Sequence, residues 1–240
     1  MFLNPALSAA LDRISERADD VRRAYTPGSV ARYDDVAAAR PASDFALDPL
    51  AVSAADDLYF IARNQRDEVA YTRDGSFALR DGRLVDGEGE QIRGFAAPSN
   101  ELADLRIDAV DEALGRASDP RIERDGSFAY GRVIVDPRSG LRKTQRVVVG
   151  RIALARFPAG TRLASADGSR CIPPPGVQPQ LGIPGDAGFP ALWPMHRERS
   201  RIDLDQSLVR LKDAYIAFDA LRAAEEAKAH LGKTAMDLVK

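Results

Sequence analysis

A chain of 240 residues, 45% hydrophobic and 29% charged, holds enough apolar side chains for one large or two modest folded domains. Its formal net charge of −2 supplies no global field for nucleic acid or an anionic membrane. A lone cysteine, Cys171, excludes an internal disulfide and a cysteine-based zinc site. No run of about 18 apolar residues is present to span a membrane. The opening "MFLNPALSAALDRISERADD" lacks a charged n-region and is broken by Asp12 and Arg13, so no cleavable signal peptide is expected.

The first segment predicts a helix, because Leu7, Leu11, Ile14, Ala18 and Val21 recur on one face and charged residues fill the other. Thr26-Pro27-Gly28 stops it. Residues 29–56 are Ala- and Asp-rich and give no clear pattern. From Leu58 short strands are expected: "LYFIAR" (58–63), "VAYTR" (69–73), and the segments around Phe77, Leu79, Leu84 and Ile92, separated by Asp74-Gly75, Asp81-Gly82 and Asp86-Gly87. Asp-Gly favours turns because both residues tolerate positive φ, so this spacing predicts a meander. A second β stretch follows from about 104 to 170. It includes "RVIVD" (132–136), a Pro-Arg-Ser-Gly turn (137–140), a strand over 144–157 that is apolar on both faces, and an Asp167-Gly168 turn. Residues 172–194 hold seven of the fifteen prolines and predict an extended connector that wraps the domain. Leu204, Leu208, Leu211, Tyr215 and Phe218, drifting to Leu221, Leu231 and Leu238, predict a C-terminal helix over about 202–239.

The expected organisation is therefore an N-terminal assembly helix (1–28), a β domain (29–195) and a C-terminal assembly helix (196–240). The expected fold is a mainly β centre, a short-stranded meander or partly closed sheet, flanked by terminal helices that pair as a coiled coil.

No catalytic constellation is legible, and no enzyme activity, cofactor or metal is expected. His196 and His230 have no Cys or second His at ligand spacing. "DGSF" occurs at 74–77 and again at 125–128, but Ser76 and Ser127 lack the frame of a nucleophile elbow. Asp86, Glu88 and Glu90 alternate like calcium ligands. Counting from Asp86, however, Gln91 and Ala97 stand where an EF-hand loop needs Gly and Glu. Neither phosphate-cradling glycine motif is present, and basic residues do not interleave with aromatics as in a nucleic-acid platform.

The order helix, Thr-Pro-Gly, β middle, helix resembles bacterial flagellar rod and hook proteins. "YTPGSVARY" (25–33) resembles that family's junction after the N-terminal helix. "DPLAVSAADDLYFIARNQRDEVAYTRDGSFAL" (48–79) is similar to its Tyr-Thr-Arg-x-Gly-x-Phe core, and "DGRLVDGEGEQIRG" (81–94) to the strand and turn that follow. "VGRIALARFP" (149–158) resembles a later strand, and "RSRIDLDQSLVRLKDAYIAFDALRAAEEAK" (199–228) the C-terminal helix. Departures are Ala55-Asp56-Asp57 in place of Gly-Asp-Gly, Arg201 in place of Asn, and Tyr215-Ile216 in place of Gln-Arg.

The resemblance implies a divergent rod-type subunit of the flagellar basal body. Such a subunit passes the flagellar type III export apparatus without a cleaved signal, joins further copies and other rod or hook subunits in the periplasmic rod, and transmits torque. It implies family-motif structural roles for Thr26, Pro27, Gly28, Tyr71, Thr72, Arg73, Gly75, Phe77, Gly150 and Phe157. Leu7, Leu11, Ile14, Val21, Leu204, Leu208, Leu211, Tyr215 and Phe218 are the expected assembly interface. The alternative is a non-polymerising β-domain protein that binds another flagellar or envelope component.

Overall fold

A computed structural model describes residues 4–26, 29, 43–55, 57–64, 66–138, 140–161, 163–165, 169–200 and 202–237. Pro27, Gly28, Arg201, Leu238 and the Asp167-Gly168 turn lie outside them. The chain forms two compact units, one holding the terminal helices and the other the β structure up to Ser200.

In the helical unit, α1 (Pro5–Arg23) starts where Asn4 accepts a hydrogen bond from the Ala6 amide (3.0 Å) and Pro5 fills the first helical position. It buries Ala10, Ile14 and Asp20, and the Asp20 carboxylate is flanked by Arg17 (3.6 Å) and Arg23 (3.1 Å). The second long helix spans Leu204–Asp237, with the Asp203 carboxylate accepting from the Gln206 amide (3.1 Å) at its start. Ala24, Ile202 and Leu204 form a small apolar cluster.

In the β unit the strands are β1 (Ser43–Phe45), β2 (Val52–Ser53), β3 (Leu58–Arg63), β4 (Val69–Thr72), β5 (Ala78–Arg80) and β6 (Arg83–Val85). Next come β7 (Gln91–Ala96) and β8 (Glu101–Asp104), a one-turn helix α2 (Ala109–Ala113), then β9 (Ala117–Ile122), β10 (Ser127–Val135), β11 (Arg142–Ile152) and β12 (Leu154–Arg156). The remainder are β13 (Ala164–Ser165), β14 (Arg170–Ile172), β15 (Gln180–Gly182), β16 (Trp193–Pro194) and β17 (His196–Glu198), which leads towards the C-terminal helix α3. Among the described residues 13 of these strands form one curled antiparallel sheet, with β13-β14-β4-β3-β7-β11-β10-β9 as its main path.

This corrects the expected fold in two respects. The sheet is not a meander: β3 lies between β4 and β7, and β12 joins β3 to β15, so neighbours in space are often far apart in sequence. Asp-Gly turns did place the local hairpins, as at Asp81-Gly82, where both residues have positive φ between β5 and β6. The long-range pairings depend on which faces are buried. β3 shows why "LYFIAR" is apolar throughout: Leu58, Phe60 and Ala62 enter the main core while Tyr59 and Ile61 line a second cluster with Ala153, Ala155, Phe95 and Phe157.

The second correction concerns the terminal helices, which are not shown to pair as a coiled coil. A coiled-coil seam buries its apolar positions, yet Leu208 is 46% and Tyr215 50% exposed, and Val209 and Ile216 widen the apolar surface beyond a seam.

The strand expected over 144–157 is also divided. The Ala153 amide donates to the Arg93 carbonyl (3.2 Å), and the chain changes neighbours from β10 and β7 to β3 and β15. Its start lies outside the core, since Arg142 to Arg146 are exposed on both faces, while Val147 and Val149 pack against the main core. The Pro-rich connector wraps the β unit: β15 pairs with β12, and Phe189 and Leu192 reach the main core. Gly182 permits this, because a Cβ there would stand 2.2 Å from the Phe189 ring.

Two short ribbons tie the start of the β unit to its end. β1 pairs with β17 in the register Ser43 with Glu198 and Phe45 with His196, and β2 pairs with β16. Asp44 and Arg199 close the first ribbon with a bidentate ion pair (2.5 and 2.7 Å).

Candidate functional site

The motif at 71–77 is the most chemically loaded part of the β unit. β4 delivers Thr72 and then Arg73, and β17 delivers Glu198 opposite it. Both side chains are almost fully buried, 3% and 1% exposed. Arg73 Nε lies 3.0 and 3.1 Å from the two Glu198 oxygens and Nη2 lies 2.9 Å from Oε2. Nη1 donates to the carbonyls of Ala55 (3.3 Å) and Leu58 (3.2 Å), and the guanidinium lies 5.6 Å from the centre of the Tyr59 ring. The charge is thus matched and its donors are aimed at fixed acceptors, the condition under which a buried ion pair is tolerated.

Around this pair the loop is built from short polar bonds. Thr72 Oγ1 pairs with Ser169 Oγ (3.0 Å) and accepts from the Asp74 amide (3.0 Å). Asp74 Oδ1 accepts from the Ser76 amide (2.9 Å) in an Asx turn. Gly75 is required by proximity rather than by φ, because a Cβ there would fall 1.8 Å from the Val52 carbonyl oxygen. Phe77 packs edge-on to Phe60 (5.0 Å), and Tyr71 edge-on to Phe157 (4.9 Å). Gly150 allows β7 to approach, since a Cβ would meet the Phe95 carbonyl at 2.5 Å. Thr26 is half-buried.

The second copy of the motif repeats the Asx hydrogen bond without the ion pair, but on a different backbone. Gly126 has a φ of +76° in the hairpin turn between β9 and β10, whereas the segment at Asp74-Gly75 bridges Ala51 through Ser76. Asp125 Oδ1 accepts from the Ser127 amide (3.0 Å) and Oδ2 from its hydroxyl (2.8 Å). Burial pushes the Asp125 carboxyl up, but these bonds from Ser127 outweigh it and hold the group below the usual carboxylate range. What "RDGSFA" repeats is therefore the Asp-to-Ser amide bond, and only the first copy becomes a buried electrostatic centre.

Asp86 is the second unusual group. Its Oδ1 accepts from the amides of Glu88 (3.1 Å) and Glu90 (2.8 Å), while its buried Oδ2 has no partner among the described residues. Desolvation pushes its pKa up to about 6. The Glu90 amide and Arg170 oppose that rise, and the Glu88 and Glu90 charges add to it. Glu90 itself is bridged to Arg170. Desolvation also raises Asp74, against the hydrogen bonds from Ser76.

Among the described residues no group of three or more His, Cys, Asp or Glu side chains is placed to hold a metal. His196 stacks edge-on to Phe45, with Nδ1 2.9 Å from the Pro194 carbonyl, and Cys171 lies opposite Tyr71 in the β4–β14 register. An open hollow of about 270 Å³ is lined by Phe95, Pro98, Asn100, Asp125, Val148 and Arg151.

Of the expected assembly residues, Ile14 is buried, Leu7, Val21, Leu204, Leu211 and Phe218 are half-buried, and Leu11, Leu208 and Tyr215 are exposed. The sequence reading named Arg73 but not Glu198, its partner 125 residues away. The signal was a charged residue within "HRERS" just before the last helix, with no local feature to mark which of its charges turns inward. The sequence matches no protein-family model, and no curated protein matches it significantly.

Two outcomes follow from the buried charges. Glu198→Leu strands the Arg73 guanidinium and lowers unfolding free energy by about 3–5 kcal/mol in urea titrations, whereas Arg73→Met/Glu198→Leu together recover most of that loss. For Asp86, a folded pKa above the unfolded value means the native state binds more protons, so stability falls as pH rises from about 4 to about 6. Asp86→Asn keeps the Oδ1 acceptor and flattens that slope in thermal melts; a residual slope from Asp74 remains.

Proposed function

We propose that this chain is a structural subunit of the bacterial flagellar basal-body rod, assembling helically through its terminal helices and transmitting torque. The reading rests on the order of the motifs from "YTPGSVARY" to the C-terminal helix, and the observation that carries it is α3. This helix runs for 34 residues, yet among the described residues Ser207 is its one buried side chain, while Leu208, Val209, Tyr215, Ile216, Leu221 and Leu231 are exposed. Packing of an apolar face, more than intrinsic propensity, stabilises a helix in water, so these side chains call for neighbours that a lone chain does not supply.

Copies of the same chain and other rod or hook subunits would be those neighbours. Contacts of the terminal helices that repeat head to tail without closing a ring build a filament. The paired ribbons β1–β17 and β2–β16 suit such a part, because they join the start and end of the β unit into one braced element. Delivery through the flagellar export apparatus and residence in the periplasmic rod belong to this proposal, and no reaction is assigned to the chain.

Leu208→Asp and Tyr215→Asp test it. Both positions are about half exposed, so each change should alter monomer stability by only about 0.5 kcal/mol. The wild-type chain should pellet on sedimentation at rising concentration and show tubes or filaments by electron microscopy, and each variant should remain in the supernatant. A wild-type chain that stays monomeric with folded ends contradicts the proposal and favours a β-domain binding protein.

A further inference from the structure

The β10–β11 hairpin carries a surface that the rod proposal does not use. β9 pairs with β10 from Phe128 to Arg132, and β7 pairs with β11 only at Gly150–Ile152. Beyond those limits the hairpin is a two-stranded ribbon, and among the described residues no strand pairs with the outer edge of β11 from Arg142 to Val148. Leu141 to Arg146 are all exposed, so side chains on both faces of this edge meet solvent. An edge of this kind presents alternate N–H and C=O groups that a further strand can take up.

The charge on the ribbon is one-sided. From Arg132 to Arg146 there are five basic residues, Arg132, Arg138, Arg142, Lys143 and Arg146, against one acid, Asp136. Arg132 is committed to Asp111, and Arg146 to Glu123 (2.8 Å). Arg138, Arg142 and Lys143 form no ion pair among the described residues. Beside them Ile134, Val135 and Leu141 are 42%, 55% and 63% exposed. In the hairpin register Lys143 stands opposite Ile134, and Arg142 opposite Val135.

We infer that the outer edge of β11 is a strand-addition site for an extended, acid-rich polypeptide segment. Main-chain bonds to alternate residues of 142–148 hold the segment, and Arg142, Lys143 and Arg138 select its acidic side chains. The same cations set two copies of this edge against each other, because edge-to-edge pairing would bring like charges together. The surface therefore excludes itself while admitting a strand of opposite charge. This inference stands apart from the rod proposal, since it uses no residue of the terminal helices.

The test uses the full-length protein and a fluorescent peptide of Val-Glu-Glu repeats. Fluorescence anisotropy should show saturable, salt-sensitive binding, and hydrogen exchange should show new protection of alternate amides within 142–148. R142E/K143E should weaken binding about tenfold or more without loss of folding by circular dichroism. A peptide of the same sequence with N-methylated alternate amides should bind far more weakly, because it cannot complete the ladder. The inference is overturned by absence of binding, by equal binding of the N-methylated peptide, or by binding without protection of 142–148. It is equally overturned if the protein ignores the peptide and instead binds vesicles of phosphatidylcholine with phosphatidylserine.

Discussion

The buried pair between Arg73 and Glu198 is the constraint around which the β unit is arranged. An arginine removed from water has no tolerable state without an anion, so the loop after β4 can fold only when β17 has come to meet it. Because Glu198 sits in β17, the pair also fixes the register of the ribbon that joins the beginning of the unit to its end. Its remaining donors clamp the carbonyls of Ala55 and Leu58 at the approach to β3, the strand buried on both faces. One ion pair thus joins three segments, the last of them 125 residues beyond Arg73 in sequence. It makes their arrangement interdependent.

The polar environment around this pair has a cost. Asp74 and Asp86 are buried carboxylates whose pKa values lie above the usual range, because lost hydration outweighs the hydrogen bonds they receive. They shape turns that an apolar residue could not, since each accepts backbone amides that would otherwise be unsatisfied. The β unit trades some stability near neutral pH for a defined path of the chain through 72–90.

Local features were legible in the sequence and long-range ones were not. "LYFIAR" gives β3 residue for residue, and the leucine periodicities give both long helices, because the chain itself carries these signals. Asp81-Gly82 and Asp86-Gly87 mark turns between paired strands, but Asp74-Gly75 does not, and identical "RDGSFA" segments become an electrostatic centre in one place and a hairpin turn in the other. What separates them is Glu198, and no periodicity near residue 73 can announce a partner 125 positions away. The 144–157 run misled for a related reason: apolar residues on both faces imply one buried strand, but the chain exchanges neighbours at Ala153, and its start, Thr144 to Arg146, is exposed while Val147 and Val149 pack on the core. The coiled coil failed because heptad spacing in α3 specifies where apolar side chains lie on a helix, not what covers them. Helix α2, of one turn, is too short for any periodicity and is set by Asp108 capping the amides of Val110 and Asp111.

The β unit has its own apolar core, and under the proposed function the terminal helices take partners from neighbouring subunits. Hydrogen exchange of the full-length chain over a range of concentrations tests this division most directly. The account predicts that amides of β3, β7 and β12 are protected at every concentration, while those of α1 and α3 exchange rapidly when dilute and become protected as the chain assembles. Strong protection of α1 and α3 in the dilute monomer, unchanged as concentration rises, would contradict it.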